Sequence, residues 1–289
     1  MDFGFLTTGL LTGLREGVEA ALIVSIILAY LAKTGNRRHF GKIWLGAGAA
    51  VALSIVIGLV LFNTIGGFEE PAEQIFEGFA MVIAASVVTW MLFWMRRTAA
   101  NIKGELQAGV DRALVEGGIF GLAILAFTAV IREGIETALF LMGQATAAGT
   151  EASSTLIGAV IGLAIAVAIG YGLYRGARVI NLRTFFGWTG IALIFIAAGL
   201  LSHGIHEFIE AGWIGFGTAT AFDISGILPH EENLLGEMLR AIFGYTSRPE
   251  WITFVAWLVY IVVVLYLYTR PMRPSESRSV SQEQAAART

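Results

Sequence analysis

Cysteine is absent from all 289 residues, which excludes disulfides and thiolate ligands alike. Any metal site in this chain has to be built from oxygen, imidazole nitrogen or thioether sulfur. Charge is also scarce: Asp, Glu, Lys and Arg make up 14% of the residues, against roughly 25% in a soluble domain. Nothing resembles a phosphate-cradling glycine loop, so direct use of a nucleotide is not expected. No nucleic-acid partner is expected either. The opening residues Met1-Asp2-Phe3-Gly4 lack the basic leader of a cleavable signal peptide, so the first apolar run reads as a retained membrane helix.

What the chain does have is apolar length. It is 56% hydrophobic with a mean hydropathy of +0.73, and several runs exceed the roughly 20 residues that cross a bilayer. The pattern predicts an all-α polytopic membrane protein with seven spans, at about 5–31, 42–65, 75–95, 117–146, 154–177, 186–209 and 251–269. Lys and Arg collect in cytoplasmic loops. Of the 19 basic residues, 15 follow the odd-numbered spans, beginning with Lys33, Arg37, Arg38 and Lys42. That places the N terminus outside and the C terminus in the cytoplasm; the expected setting is a cell inner (plasma) membrane. The opposite face is acidic, with Glu69, Glu70, Glu73, Glu151, Asp223, Glu231, Glu232 and Glu237. Such a face either concentrates cations or is simply the solvated remainder once the basic residues are sorted inward.

Two of these runs carry the same phrase at their centres. Arg15-Glu16-Gly17-Val18-Glu19 lies in the first and Arg132-Glu133-Gly134-Ile135-Glu136 in the fourth, 117 positions later. Left unpaired, six charges at mid-membrane would cost about 15–20 kcal/mol, more than the net stability of most folds. On a helix, Arg15 is nearly eclipsed with Glu19 and the two glutamates lie about 60° apart, so each phrase presents two carboxylates beside one guanidinium. Gly17 and Gly134 either admit a neighbouring helix or leave room for an ion. Four carboxylates against two guanidiniums leave a formal surplus that suits a hard multivalent cation. The alternative is an Arg–Glu clasp that only fixes helix packing.

Three spans separate the two phrases, and an odd number of spans inverts the second copy relative to the first. The implied architecture is an inverted 3+3 repeat plus one extra helix, the plan of many secondary transporters. Its parts are a first repeat at 1–95, a cytoplasmic amphipathic linker at 96–116, the inverted repeat at 117–210, an extracytoplasmic loop with a short helix at 211–250, a seventh span at 251–270 and a disordered tail at 271–289. Beyond the signatures, His203, His206, Glu207 and Glu210 share one face of the sixth span as a candidate secondary metal site, and Glu77 is a candidate relay carboxylate. Met91 and Met95, interleaved with Trp90 and Trp94, read as packing.

The phrases REGVEAALIV (15–24) and REGIETALF (132–140) resemble the paired Arg-Glu-Gly-Leu-Glu signatures of the iron permease family, with Val or Ile where the family favours Leu. A less specific stretch, Phe222-Asp223-Ile224-Ser225 through Leu228-Pro229 to Phe243-Gly244-Tyr245, is similar as well. The resemblance implies iron transport, with Glu16, Glu19, Glu133 and Glu136 carrying the ion and Arg15 and Arg132 balancing charge. It implies no organic cofactor. Lipid surrounds the helices, and the expected protein partner is an extracytoplasmic iron-oxidising or iron-binding protein of bacterial type, since the acidic outer-loop motif of fungal members is missing. Two rivals stay open at this stage: a permease for another divalent ion such as lead or manganese, and a membrane metalloenzyme built on His203, His206 and Glu207.

The absent cysteines allow a direct test of the repeat. A Glu19→Cys, Glu136→Cys double variant should cross-link within one chain under a short bifunctional reagent, with protection by cadmium, while Cys at 19 paired with Ala49→Cys should not. Efficient linkage of the control pair, or none in the signature pair, would overturn the arrangement.

Overall fold

The structure is a computed structural model and describes residues 3–63, 71–98, 102–116, 120–149, 152–176, 181–228 and 234–270. The acidic residues Glu69, Glu70, Glu151, Glu231 and Glu232, the basic Arg178, and the tail from Pro271 onward lie outside the described residues. Only a helix or a closed barrel satisfies its own backbone hydrogen bonds in hydrocarbon. Accordingly, the described residues are mostly helical; outside the helices lie turns, short links and the irregular stretches 211–228 and 244–250, with no strand and one isolated bridge between Thr220 and Glu250.

The helices are α1 (Phe3–Lys33), α2 (Phe40–Phe62), α3 (Ala72–Thr98), α4 (Ile102–Val115), α5 (Gly121–Ala148), α6 (Ala152–Tyr174), α7 (Leu182–Glu210), α8 (Leu234–Phe243) and α9 (Trp251–Thr269). The seven longest coincide with the apolar runs read from the sequence to within a few residues. Five helices, α2, α3, α6, α7 and α9, are long and apolar enough to cross a membrane by length and composition. The other two long helices, α1 with 31 residues and α5 with 28, each carry three charges near the middle.

Two helix pairs and one crossing organise the packing. α1 runs parallel to α6, and α2 runs parallel to α5. α1 and α5 then meet antiparallel at the centre, while α3 packs on α7 and α9 closes over α7. Missing side chains set the closeness of the parallel pairs. A Cβ on Gly9 or Gly13 would run into the backbone of Thr155 or Ala159, and one on Gly46 would run into that of Ala123. Gly17 lies against Ala166 and Gly134 against Ser54, so both signature glycines serve helix approach. In return, most of the large side chains on α2, α6 and α9 face outward and stay apolar, among them Leu53, Val56 and Leu59 on α2, Val160 and Val167 on α6, and Val259 and Val262 on α9. A helix that is apolar all round belongs in lipid or in a core, and these outward faces have no protein against them.

The two connecting helices seat against this bundle. Sequence periodicity placed α4 on the membrane interface, and its apolar side turns out to be covered by protein. Leu106 and Val110 are buried with Ile23, Ile27, Leu28 and Leu31 of α1, Ile43 of α2, and Leu122 and Ala126 of α5. α8 packs on α1 and α7. The segment around it folds back on itself: Tyr245 donates to the Leu228 carbonyl at 2.8 Å, and Arg248 pairs with Asp223 at 2.9 Å. The Ser225 hydroxyl and backbone N–H, then Arg248, hold the Asp223 carboxyl down at about 2, so this clasp stays charged at any ordinary pH. Gly244 has φ 67 and its backbone lies against Gly199 of α7, a place where both the left-handed conformation and the absence of a side chain are needed.

The same substitution should therefore have opposite effects at two glycines. Gly13→Ala should lower stability in detergent by about 1–3 kcal/mol through overpacking against α6. Gly48→Ala meets nothing within 4 Å and should be neutral or stabilising by up to about 1 kcal/mol. Denaturant midpoints of the two variants check this, and equal midpoints would mean that α1 and α6 do not pack as described.

Candidate metal-transport site

The α1–α5 crossing brings the two charged phrases together in the interior. Glu16, Glu19, Glu133 and Glu136 are all buried, as is Arg15, which is 2% exposed. Glu16, Glu19 and Glu133 each offer a carboxylate oxygen, and these oxygens lie within 4.8 Å of one another. Among the described residues this is the one group of three or more His or acidic side chains with that geometry. Glu136 sits beside the group and takes a hydrogen bond from Arg132 Nε at 2.9 Å.

The two phrases are identical in type but differ in surroundings. Arg15 is enclosed: its Nη1 donates to Glu16 at 2.5 Å and to the Met91 sulfur at 2.9 Å, and its Nη2 faces the Met95 sulfur at 3.1 Å. The same Nη2 forms an ion pair with Glu19 at 3.1 Å that is too poorly aligned to count as a hydrogen bond. Arg132 is partly open, with 32% of its side chain exposed, and lies over the Trp94 ring at 3.5 Å from the centroid. Both arginines are thus held by one face of α3, at residues 91, 94 and 95.

Pairing is incomplete. Glu16 Oε2, Glu133 Oε2 and Glu136 Oε2 are buried without a hydrogen-bond partner among the described residues. An unsatisfied buried acceptor costs about 1–3 kcal/mol, and more when it is charged. Glu19 Oε1 also lacks a hydrogen bond among the described residues, as do Arg15 Nε and Arg132 Nη2, so the two phrases do not satisfy one another as a packing clasp would. Carboxylate oxygens that converge within one coordination sphere, with surplus negative charge and open lone pairs, fit a divalent cation.

Polarity continues from the site in one direction only. Toward the N-terminal end of α1, Gln144 of α5 donates to Thr12 at 2.8 Å, both buried, and Thr8 follows one turn further. Gln144, Thr8 and Phe5 line a small cavity with His203, Leu200 and Gly199 of α7 and with Arg240 and Ala241 of α8. Toward the C-terminal end of α1, the crossing is filled by the apolar cluster of Ile23, Ile27, Leu122 and Ala126 that α4 covers.

The chain's similarity to known proteins decides between the open readings. The profile of the iron permease FTR1 family matches residues 7–278. This chain belongs to the iron permease FTR1 family. Among its relatives, the protein named ferrous iron permease EfeU from Escherichia coli O6:H1 is 39% identical over 270 residues, covering 93% of this chain and 97% of the relative. A protein of the same name from Shigella sonnei has the same identity and coverage. The one from Yersinia pestis is 36% identical over 272 residues, covering 92% and 94%. No solved structure matches this chain. The chain is therefore a membrane protein and a transporter rather than an enzyme, iron is the substrate of its family, and the metalloenzyme alternative falls away.

The remaining sequence candidates in this permease are neighbours at the end of α7 but, among the described residues, form no group with ligand atoms as close as those of the signature glutamates. His206 contacts Glu250 at 2.9 Å and Glu210 at 3.4 Å, Glu207 lies in the field of Glu77 across the α3–α7 contact, and His203 stands between the His206 ring, 6.3 Å away, and the cavity. Sequence reasoning missed Gln144, Thr12, Trp94 and the sulfur contacts of Met91 and Met95. A signal existed for the first two. Thr8, Thr12 and Glu16 are spaced by four, and Gln144 is two turns beyond Glu136, so each extends the charged face of its own helix.

The enclosure of Arg15 against the openness of Arg132 sets a stability difference. Arg15→Ala should destabilise by about 3–5 kcal/mol, since it strands buried carboxylates. Arg132→Ala also strands buried Glu136, but Arg132 is itself partly exposed, so water can replace it and the loss should be smaller, about 1–3 kcal/mol. Equal losses in denaturant unfolding would contradict the asymmetry.

Proposed function

We propose that this permease imports iron through a site near the bilayer midplane formed by Glu16, Glu19, Glu133 and Glu136, with Arg15 and Arg132 balancing charge. The observation that carries this reading is the convergence of three buried carboxylates within 4.8 Å at the crossing of two membrane-length helices. Seven crossings follow if α1 and α5 span the bilayer together with the five helices that are long and apolar enough to do so. The charged centres of these two helices are then sheltered by each other and by α3.

Three packing pairs support an inverted repeat, with 1–95 as one unit, 117–210 as the other and 96–116 as the link. Gly158 against Leu6, Ala166 against Gly17 and Gly170 against Ala21 on α6 and α1 correspond to Gly46 against Ala123, Ser54 against Gly134 and Gly58 against Ala138 on α2 and α5. Each α5 residue follows its α1 counterpart by 117 positions, and each α6 residue follows its α2 counterpart by 112. The seventh span, 251–270, stands outside this pairing, as do the 211–250 loop and the 271–289 tail.

With the basic loops inside, the N-terminal end of α1 faces outward, so the Thr8, Thr12 and Gln144 side is the outer approach and the α4-covered cluster is the inner closure. The repeat-related positions of those three residues are Leu125, Ala129 and Ile27, all apolar. The molecule is read as an outward-facing but closed-over state, its site buried beneath the small cavity, in which a rocking of the repeats would part the inner cluster. Glu77 and Glu207 lie near the outer end as relay carboxylates, and the His206, Glu210 and Glu250 contacts flank them. The relatives' names favour ferrous iron as the form carried. The chain lies in the inner (plasma) membrane, is driven by the membrane potential, protons or a coupled oxidation, and works with an extracytoplasmic iron-oxidising or iron-binding partner.

The test is metal flux into sealed vesicles containing only this protein, run with ferrous, ferric, manganese and lead ions. Ferrous iron should enter, and Ala at Glu16, Glu19, Glu133 or Glu136 should abolish entry while the protein still inserts, because removing a charge makes insertion easier. Full transport by any two of these variants would overturn the site.

A further inference from the structure

Arg15 stands where a cation would stand. Its guanidinium is surrounded by two carboxylate oxygens, from Glu16 at 2.5 Å and Glu19 at 3.1 Å, and two thioether sulfurs, from Met91 at 2.9 Å and Met95 at 3.1 Å. Nη1 touches both the Glu16 oxygen and the Met91 sulfur, so those two atoms can be no farther apart than its two contact distances laid end to end. A first-row divalent ion bound linearly between an oxygen and a sulfur separates them by roughly 4–4.5 Å. The donors are already within about an ångström of closing on one.

We infer that Met91 and Met95 are ligands of the transported ion, which takes the position of the Arg15 guanidinium between them and the carboxylates. This inference rests on the carboxylate site proposed above and adds its selectivity. Packing alone does not call for sulfur here. Met91 is fully buried, and leucine would fill the same volume, yet both sulfurs are turned onto the guanidinium while carboxylate oxygens nearby go without partners. A thioether is a weak acceptor for a guanidinium but a good soft ligand. The displaced guanidinium stays in the site paired with Glu16 and Glu19 of its own helix, while the carboxylate oxygens now without a partner are left for the ion. A mixed oxygen and thioether set favours a borderline ion such as ferrous iron over hard ions such as magnesium, calcium or ferric iron, which carboxylates alone would hold at least as well.

The chain itself makes the test clean. With no cysteine and seven methionines, any sulfur found at a bound metal has to be a thioether. X-ray absorption on the purified full chain loaded with cadmium should reveal a sulfur shell beside oxygen, and a Met91→Leu, Met95→Leu double variant should keep cadmium but lose that shell. In vesicles, the double variant should resist cadmium inhibition of iron uptake by about tenfold while inhibition by manganese changes little. Oxygen and nitrogen scattering alone in the wild-type protein would overturn the thioether assignment and leave the carboxylate site standing. A sulfur shell retained in Glu16→Gln at undiminished cadmium occupancy would instead overturn the carboxylate site and keep the thioethers. Either single variant, Met91→Leu or Met95→Leu, repeats the measurement should the double variant fold poorly.

Discussion

Unequal charge burial is the constraint on which the structure depends. Four carboxylates and two guanidiniums occupy the crossing of α1 and α5, and no arrangement of two cations neutralises four anions. Everything near the crossing reduces the penalty without removing it. Each arginine pairs within its own helix, α3 adds sulfur and an indole face, and glycines bring α6 and α2 close enough to keep the crossing away from lipid. With all four carboxylates ionised, the site proposed above would hold residual negative charge, and the same imbalance that destabilises the ion-free protein would then draw a cation in.

The two halves use one five-residue phrase in two environments. Arg15 is sealed beneath Met91 and Met95, and Arg132 is half open over Trp94. The two signature helices therefore contribute unequally: the α1 side holds the tight cluster with Glu16 and Glu19, while the α5 side contributes Glu133 to the cluster and keeps Glu136 occupied with its own arginine. In the inverted repeat proposed above, such unequal halves would give the molecule a built-in direction, in line with the polar lining on one side of the crossing and the apolar filling on the other.

Most of the helices were legible in the sequence because apolar length and the need to satisfy backbone hydrogen bonds leave a membrane chain few choices. The signature residues were legible because charge in such a run is rare. What could not be read was which faces meet. Met91 and Met95 sit among tryptophans at helical spacing, a pattern that packing alone produces, and only the placement of α3 beside α1 turns their sulfurs toward Arg15. The face of α4 was legible as apolar, but an apolar face does not say whether lipid or protein will cover it. Likewise, the roles of Gly17 and Gly134 stayed ambiguous until Ala166 and Ser54 were found against them.

The parallel contact between α1 and α6 also bears on how the protein is made. These two helices meet glycine against backbone along most of their length, yet roughly 140 residues of chain separate the end of one from the end of the other. At about 5–20 residues per second, the ribosome needs roughly 7–28 s to deliver α6 after α1 has emerged. During that interval the nascent first helix holds three charges with neither α5 nor α6 beside it. Its own Arg15 sits one turn from Glu19 and next to Glu16, so the lone helix carries its counter-ion with it and presents a net charge of one to the translocon rather than three. Pairing within the helix thus lowers the charge that has to be inserted before α5 and α6 follow.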